Sequence, residues 1–193
     1  MTPWARARFE AAKPTFGPNS FSVADTNDPV YACYPPGTPR IYFHPFPMEI
    51  VQTPGRVFMV FEYDHLIRQI YTDSREHRTD LSPSWMGDAT GYWEGDTLVV
   101  ETVNFNDKTW IDRRGVPHSA ELRIIERFRR IDEDRLVIDI TVEDPIAFTE
   151  TWTGQRHYRT VDWEIEEFIC MDNVGYAAFE SSLIDYDGDQ ADD

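Results

Sequence analysis

From Arg56 onward the chain alternates short runs of β-branched and aromatic residues with tight, acidic turns, and almost no helical period intervenes. The runs are "RVFMVFEYD" and "HLIRQIYTD", hinged near Asp64-His65, and "TGYWEGDTLVVETVNFN", folding back through Glu94-Gly95. Then come "ELRIIERFRRIDEDRLVIDITVED", turning at Asp132-Glu133-Asp134, and "IAFTETWTGQRHYRTVDWEIEEFIC", expected as two strands turning at Thr153-Gly154. Strands this short, joined by turns this short, pair with their sequence neighbours, so an antiparallel meander is expected. A meander of about eight strands removes its exposed edges by closing on itself. The expected fold is therefore all-β, an antiparallel up-and-down β-barrel over residues 57–180.

Residues 1–56 hold most of the prolines, in "CYPPGTPR" and "HPFPMEIVQTPG". Proline fixes φ and lacks an N–H, so this segment is expected as an extended N-terminal arm packed on the barrel. A short helix over Trp4–Ala12 is expected within it, because Trp4, Ala5, Arg8, Phe9 and Ala12 recur at helical spacing. Residues 181–193, "SSLIDYDGDQADD" in their setting, form an acidic tail expected to lack order.

Charge and motifs exclude several functions. A formal net charge of −17 opposes contact with nucleic-acid phosphates and with anionic membranes. No apolar stretch approaches the roughly 18 residues of a membrane-spanning helix, so no membrane insertion is expected. The start, "MTPWARARFEAAKPTFGPN", has arginines and no apolar core of a secretion signal. A signal already removed would place the protein in the periplasm, and otherwise it is cytoplasmic. The histidines show neither HxH nor HExxH spacing, and the glycine and closing glutamate of a calcium loop are out of place among the tail's aspartates, so no metal and no cofactor are expected. GxSxG, GxGxxG and P-loop strings are absent as well. The two cysteines, Cys33 and Cys170, either form one long-range disulfide or stay as buried thiols.

Side chains alternate across a strand, and this sorts the carboxylates. In "ELRIIERFRRI", Leu122, Ile124, Glu126 and Phe128 share one face, while Arg123, Arg127 and Arg129 share the wetter one. Leu136, Ile138, Ile140 and Val142 form the inward face of the next strand. Glu101 sits among Val99, Val103 and Phe105, on a strand apolar on both faces, so it points either inward or out beneath the arm. Burying an unpaired charge is costly, so such acids are either paired with arginines or placed in a pocket where desolvation raises their pKa.

The strings "RQIYTDSREH", "SWMGDATGYWEGDTLVVETVNFND", "GVPHSAELRIIERFRR" and "VEDPIAFTETW" resemble a large bacterial family of small, mostly uncharacterised, often exported proteins, over residues 33–172. The G-x-W-x-G-D hairpin also resembles those of lipocalin-like (calycin) barrels. The resemblance implies a calycin-like barrel, a periplasmic origin and a Cys33–Cys170 disulfide. The family reads Gly-His-Ser where this chain has Gly87-Asp88-Ala89, a departure that alters whatever that histidine does.

Two functions follow. One is a cofactor-independent acid–base enzyme, a lyase, isomerase or cyclase acting on a hydrophobic or aromatic small molecule inside the barrel. Phenolic acid decarboxylases are the analogy, at the level of fold alone. Glu126 would be the acid or base, His118 or Asp88 its counterpart, and Tyr71 and Arg68 would orient the substrate. Trp85, Trp110, Trp152, Glu101 and Phe128 would line the binding space. The alternative is a non-catalytic, lipocalin-like binding protein for an apolar ligand. A homodimer is compatible with either.

Overall fold

The chain is described here by a computed structural model covering residues 1–172, so the acidic tail lies outside the described residues. Eight strands form one sheet whose spatial order is the sequence order. They are β1 (Met48–Thr53), β2 (Arg56–Phe61), β3 (Ile67–Tyr71), β4 (Asp88–Glu94), β5 (Thr97–Val103), β6 (Arg123–Arg130), β7 (Arg135–Glu143) and β8 (Trp152–Arg159). Neighbours run antiparallel except β3 and β4, which are parallel and pair through Ile70–Ala89 and Tyr71–Thr90. A parallel pair needs a crossover, here the 72–87 loop. That loop enters β4 through Gly87 at φ +70°, where a Cβ would lie 2.6 Å from Thr102 Cγ2.

The sheet is strongly curled but open, and this corrects the expected closed barrel. Closure needs the edge strands about 4.8 Å apart so that their backbones can pair. Instead β1 and β8 both turn side chains into a shared cavity, Met48 and Ile50 from one and Arg156 and Tyr158 from the other. Pro45 and Pro47, just before β1, remove two backbone donors from that edge.

Two local expectations also change. β1 lies within the stretch expected as arm, where Pro45, Pro47 and Pro54 hide its alternation. β8 runs straight through Thr153-Gly154, which pair with Thr141 and Ile140, and the strand expected before that turn, over residues 146–151, does not form. Residues 160–169 cross back to the sheet, where Phe168 bridges Tyr63. The helix forms over Pro3–Ala11, with the Thr2 hydroxyl accepting the Ala5 N–H.

The concave face carries the core. Opposed residues share a face, so Ala89, Thr102, Ile124, Val142 and Trp152 form one row, and Gly91, Val100, Glu126, Ile140 and Gly154 the next. A third row is Trp93, Leu98, Phe128, Ile138 and Arg156. The inward assignment of Glu126 and of Leu136, Ile138, Ile140 and Val142 therefore agrees with the structure. Part of the concavity is filled by the arm, whose Tyr42 packs against Phe61 and Phe128, with ring centroids 6.2 Å and 6.4 Å away.

One ion pair braces the arm internally, and further contacts fasten it to the rest of the chain. Arg40 forms a bidentate, buried pair with Asp28, at 2.8 Å and 2.6 Å. The Tyr158 hydroxyl donates to the Tyr42 carbonyl at 2.9 Å. Cys33 and Cys170 form a disulfide with Cα atoms 5.6 Å apart, as the family resemblance implied.

Candidate functional site

Where the arm stops filling the concavity, a cavity of about 1470 Å³ remains. This exceeds the roughly 300–1,000 Å³ of common small-molecule pockets. Its apolar wall comes from successive strands: Met48 and Ile50 of β1, Val57 and Met59 of β2, Ile70 of β3, Leu98 of β5 and Phe128 of β6. Tyr158 of β8 closes the far side. Trp93 and Trp163 stand at its margin, 48% and 64% exposed, and large aromatics held this open give a ligand flat apolar surface to rest on.

Glu126 and Arg68 are absent from this lining. Both are completely buried, and Arg68 holds Glu126 through its two terminal guanidinium nitrogens, one at 2.9 Å. Arg68 also donates to Thr102 Oγ1 at 2.7 Å and to the Tyr42 hydroxyl. Burial opposes the Arg68 charge, but Glu126 and Tyr42 outweigh it and raise its pKa. Burial likewise lifts the Tyr42 phenol well above its ordinary value, so it stays protonated. This network satisfies a buried carboxylate by pairing, the structural explanation for an acid on an apolar face.

Asp88, Tyr71 and Glu101 lie on the convex face, across the sheet from Glu126 and Arg68. Thr90 pairs with both Tyr71 and Glu101, which sets all three on one side. Asp88 is 5% exposed and accepts from Arg75, from the Arg78 N–H at 3.1 Å, and meets His77 Nδ1 at 3.0 Å. Burial pushes its carboxyl up, but these donors outweigh burial and hold it below the usual range. His77 Nε2 lies 3.2 Å from Thr90 Oγ1 and 3.4 Å from Glu101. Arg123 bridges Glu101 and Glu143 and lowers the Glu101 pKa. Tyr71 lies beneath Arg75, whose guanidinium carbon is 3.7 Å from its ring centroid. The order Thr90–His77–Asp88 follows the hydroxyl–base–carboxylate logic of nucleophilic sites. None of the three lines the large cavity.

The remaining expected residues scatter. His118 is buried, its Nδ1 on the Ser119 carbonyl at 3.0 Å, and burial lowers its pKa. Neither hydrogen bond nor ion pair joins it to Glu126 among the described residues. Trp85 stacks on Tyr34 of the arm at 5.3 Å, Trp110 faces Arg40, and Trp152 packs edge-on to Phe148. Of the five expected binding residues, only Phe128 lines the large cavity. Trp93, Arg156 and Tyr158 were missed, although the alternation of "WTGQRHY" already places Arg156 and Tyr158 on one face.

His44 also lines the cavity, and burial, aided by Arg40 and Arg113, lowers its pKa to about 4. It is therefore neutral in the folded protein at pH 7, packed 4.6 Å from the Tyr63 ring. The unfolded chain takes up a proton below about pH 6.5, whereas the folded chain resists until about pH 4. Its stabilising contribution is complete above the unfolded value and is lost as the pH falls through this window, by about 3 kcal/mol at pH 4. Urea unfolding at pH 7 and pH 4 should show a smaller acid-induced loss in His44→Phe than in the parent. Equal losses in both proteins would show that His44 does not supply this term.

The fold and cavity together define an all-β protein with a curled, open eight-stranded sheet around a large cavity with an apolar wall. No family model, no curated protein and no solved structure matches the chain.

Proposed function

We propose that this protein binds a hydrophobic or aromatic small molecule in the concavity of its sheet, as a carrier or sensor, without transforming it. The observation that carries this reading is the large cavity with an apolar wall drawn from successive strands. Glu126, the acid most suited by sequence to move a proton, is sealed against Arg68 behind that wall. The resemblance of the "GYWEGD" hairpin to lipocalin-like barrels supports the same reading. A second reading, cofactor-independent acid–base chemistry, draws support from the Thr90–His77–Asp88 contacts alone.

The test uses a neutral apolar dye, N-phenyl-1-naphthylamine. Its fluorescence is expected to rise saturably at one dye per chain while emission from Trp93 and Trp163 is quenched. Leu98→Trp fills the wall and should weaken binding by about tenfold or more, since it removes the space for the ligand's apolar body. Met48→Trp, on the edge strand, is a second plug that disturbs the core less. A rise that never saturates, or affinity unchanged in both plugged variants, would remove the binding reading.

A further inference from the structure

Every buried or half-buried arginine but one, among the described residues, pairs with a carboxylate. Among the buried and half-buried ones, Arg40 holds Asp28, Arg68 holds Glu126, Arg75 holds Asp88, and Arg123 holds both Glu101 and Glu143. Arg127 and Arg129 reach Glu94 and Asp139. In a protein of net charge −17 this is expected, because acids outnumber bases. Arg156 breaks the pattern. It makes no ion pair with any described residue; its side chain meets the Tyr158 hydroxyl, and its Nε, like those of Arg40, Arg68 and Arg75, has no hydrogen-bond partner.

Its position makes the exception informative. Arg156 stands on the inner row of β8, opposite Ile138, and lines the large cavity. The other arginines of that lining are exposed at the mouth and have oxygen partners. Arg130 donates to the Glu133 carbonyl, Arg135 pairs with Asp132, and Arg159 lies 3.8 Å from Asp134. The acids of the lining, Glu49, Asp96, Glu133 and Glu164, are exposed too. Arg156 is thus the one half-buried arginine of the wall. Its guanidinium carbon is 5.6 Å from the Tyr158 ring centroid, which steadies the group over an aromatic face. Next to it on the same face is Gly154, where an added Cβ would meet nothing closer than Trp152 at 3.9 Å. The wall is open beside the guanidinium.

We propose that the bound molecule is a monoanionic amphiphile, a carboxylic acid with a long or aromatic apolar body, whose carboxylate is held by Arg156. This rests on the binding reading above. A planar guanidinium matches a carboxylate through parallel N–H donors, and a half-buried guanidinium without a counter-charge favours a ligand that supplies one. The apolar wall of Leu98, Ile70 and Phe128 takes the body of the molecule. A monocarboxylate fits better than a phosphate ester. One inner arginine neutralises one charge, and the exposed acids at the mouth repel a second.

The experiment is displacement of N-phenyl-1-naphthylamine by decanoate, decanol and decylamine, which share an apolar body and differ in the polar end. Decanoate is expected to bind about tenfold or more tightly than decanol, the increment of a charge-assisted hydrogen bond, with decylamine weakest. Arg156→Met should abolish the difference between decanoate and decanol. Arg156→Lys, which keeps the charge and loses the fork, should leave a reduced preference, and thermal melts confirm that each variant is folded. Equal affinities for decanoate and decanol in the parent, or a preference that survives Arg156→Met, would overturn the assignment. Failure of the dye itself to bind would remove the cavity reading instead, so the two failures are distinct.

Discussion

Glu126→Gln is expected to destabilise the protein by about 3–5 kcal/mol, because it leaves the Arg68 guanidinium buried without its counter-charge. The substitution keeps the shape of the side chain, so the loss reports charge and hydrogen bonding with little contribution from a cavity. Arg68 and Glu126 are 1% and 0% exposed, and water cannot replace the missing carboxylate without opening the sheet. The double variant Arg68→Met/Glu126→Leu should be less damaging than either single change, since two uncharged side chains of similar volume need no pairing. It will not be free of cost. Thr102 and Tyr42 each lose the Arg68 donor that their oxygens accept from. Urea unfolding of the three variants and the parent gives the comparison. A Glu126→Gln protein with parental stability would mean that the pair is not sealed, and would return Glu126 to consideration as a titrating group near the ligand.

The second large effect concerns the disulfide. Cys33 and Cys170 are 137 residues apart in sequence, so the bridge restricts nearly the whole described chain when it unfolds. Loop-closure entropy for a ring of that size amounts to roughly 5 kcal/mol, and removing native disulfides commonly costs about 2–5 kcal/mol. Cys33→Ala/Cys170→Ala, and the parent under reductant, should therefore melt at clearly lower temperature than the oxidised protein. Ligand binding should weaken in parallel. Cys170 ends the segment that carries Val161, Trp163 and Ile165 past the cavity, and its N–H reaches Asp64 Oδ1 at 3.3 Å. Releasing that segment from the arm loosens one wall of the site. An unchanged melting temperature and unchanged dye affinity would show that the non-covalent contacts of Phe168 with Tyr63 and Phe46 hold the segment alone.

Much of the sheet was legible because alternation is local. β2, β3 and the β4–β5 and β6–β7 hairpins stand where period-two patterning and acidic turns put them, and the row containing Glu126 faces inward as read. β1 was hidden because flanking prolines mimic an arm, and β8 was cut at Gly154 because glycine in a run of polar residues reads as a turn. The site was less legible. Tyr71 and Arg68 are three residues apart and fall on opposite faces of β3, so alternation already separates two residues expected to orient one substrate.

The sequence alone determined the all-β character, the order of strands along the chain and the face of most side chains, since these depend on neighbours within a few residues. The tertiary structure decided the rest: the parallel β3–β4 joint, the open edge between β1 and β8, the disulfide, and which arginine meets which carboxylate. Each of these depends on the approach of segments distant in sequence, and approach is set by packing of the whole sheet and arm. The face of Arg156 could be read from "GQRHY". That it stands inside the cavity without a carboxylate could be known only once every other charge had taken its place.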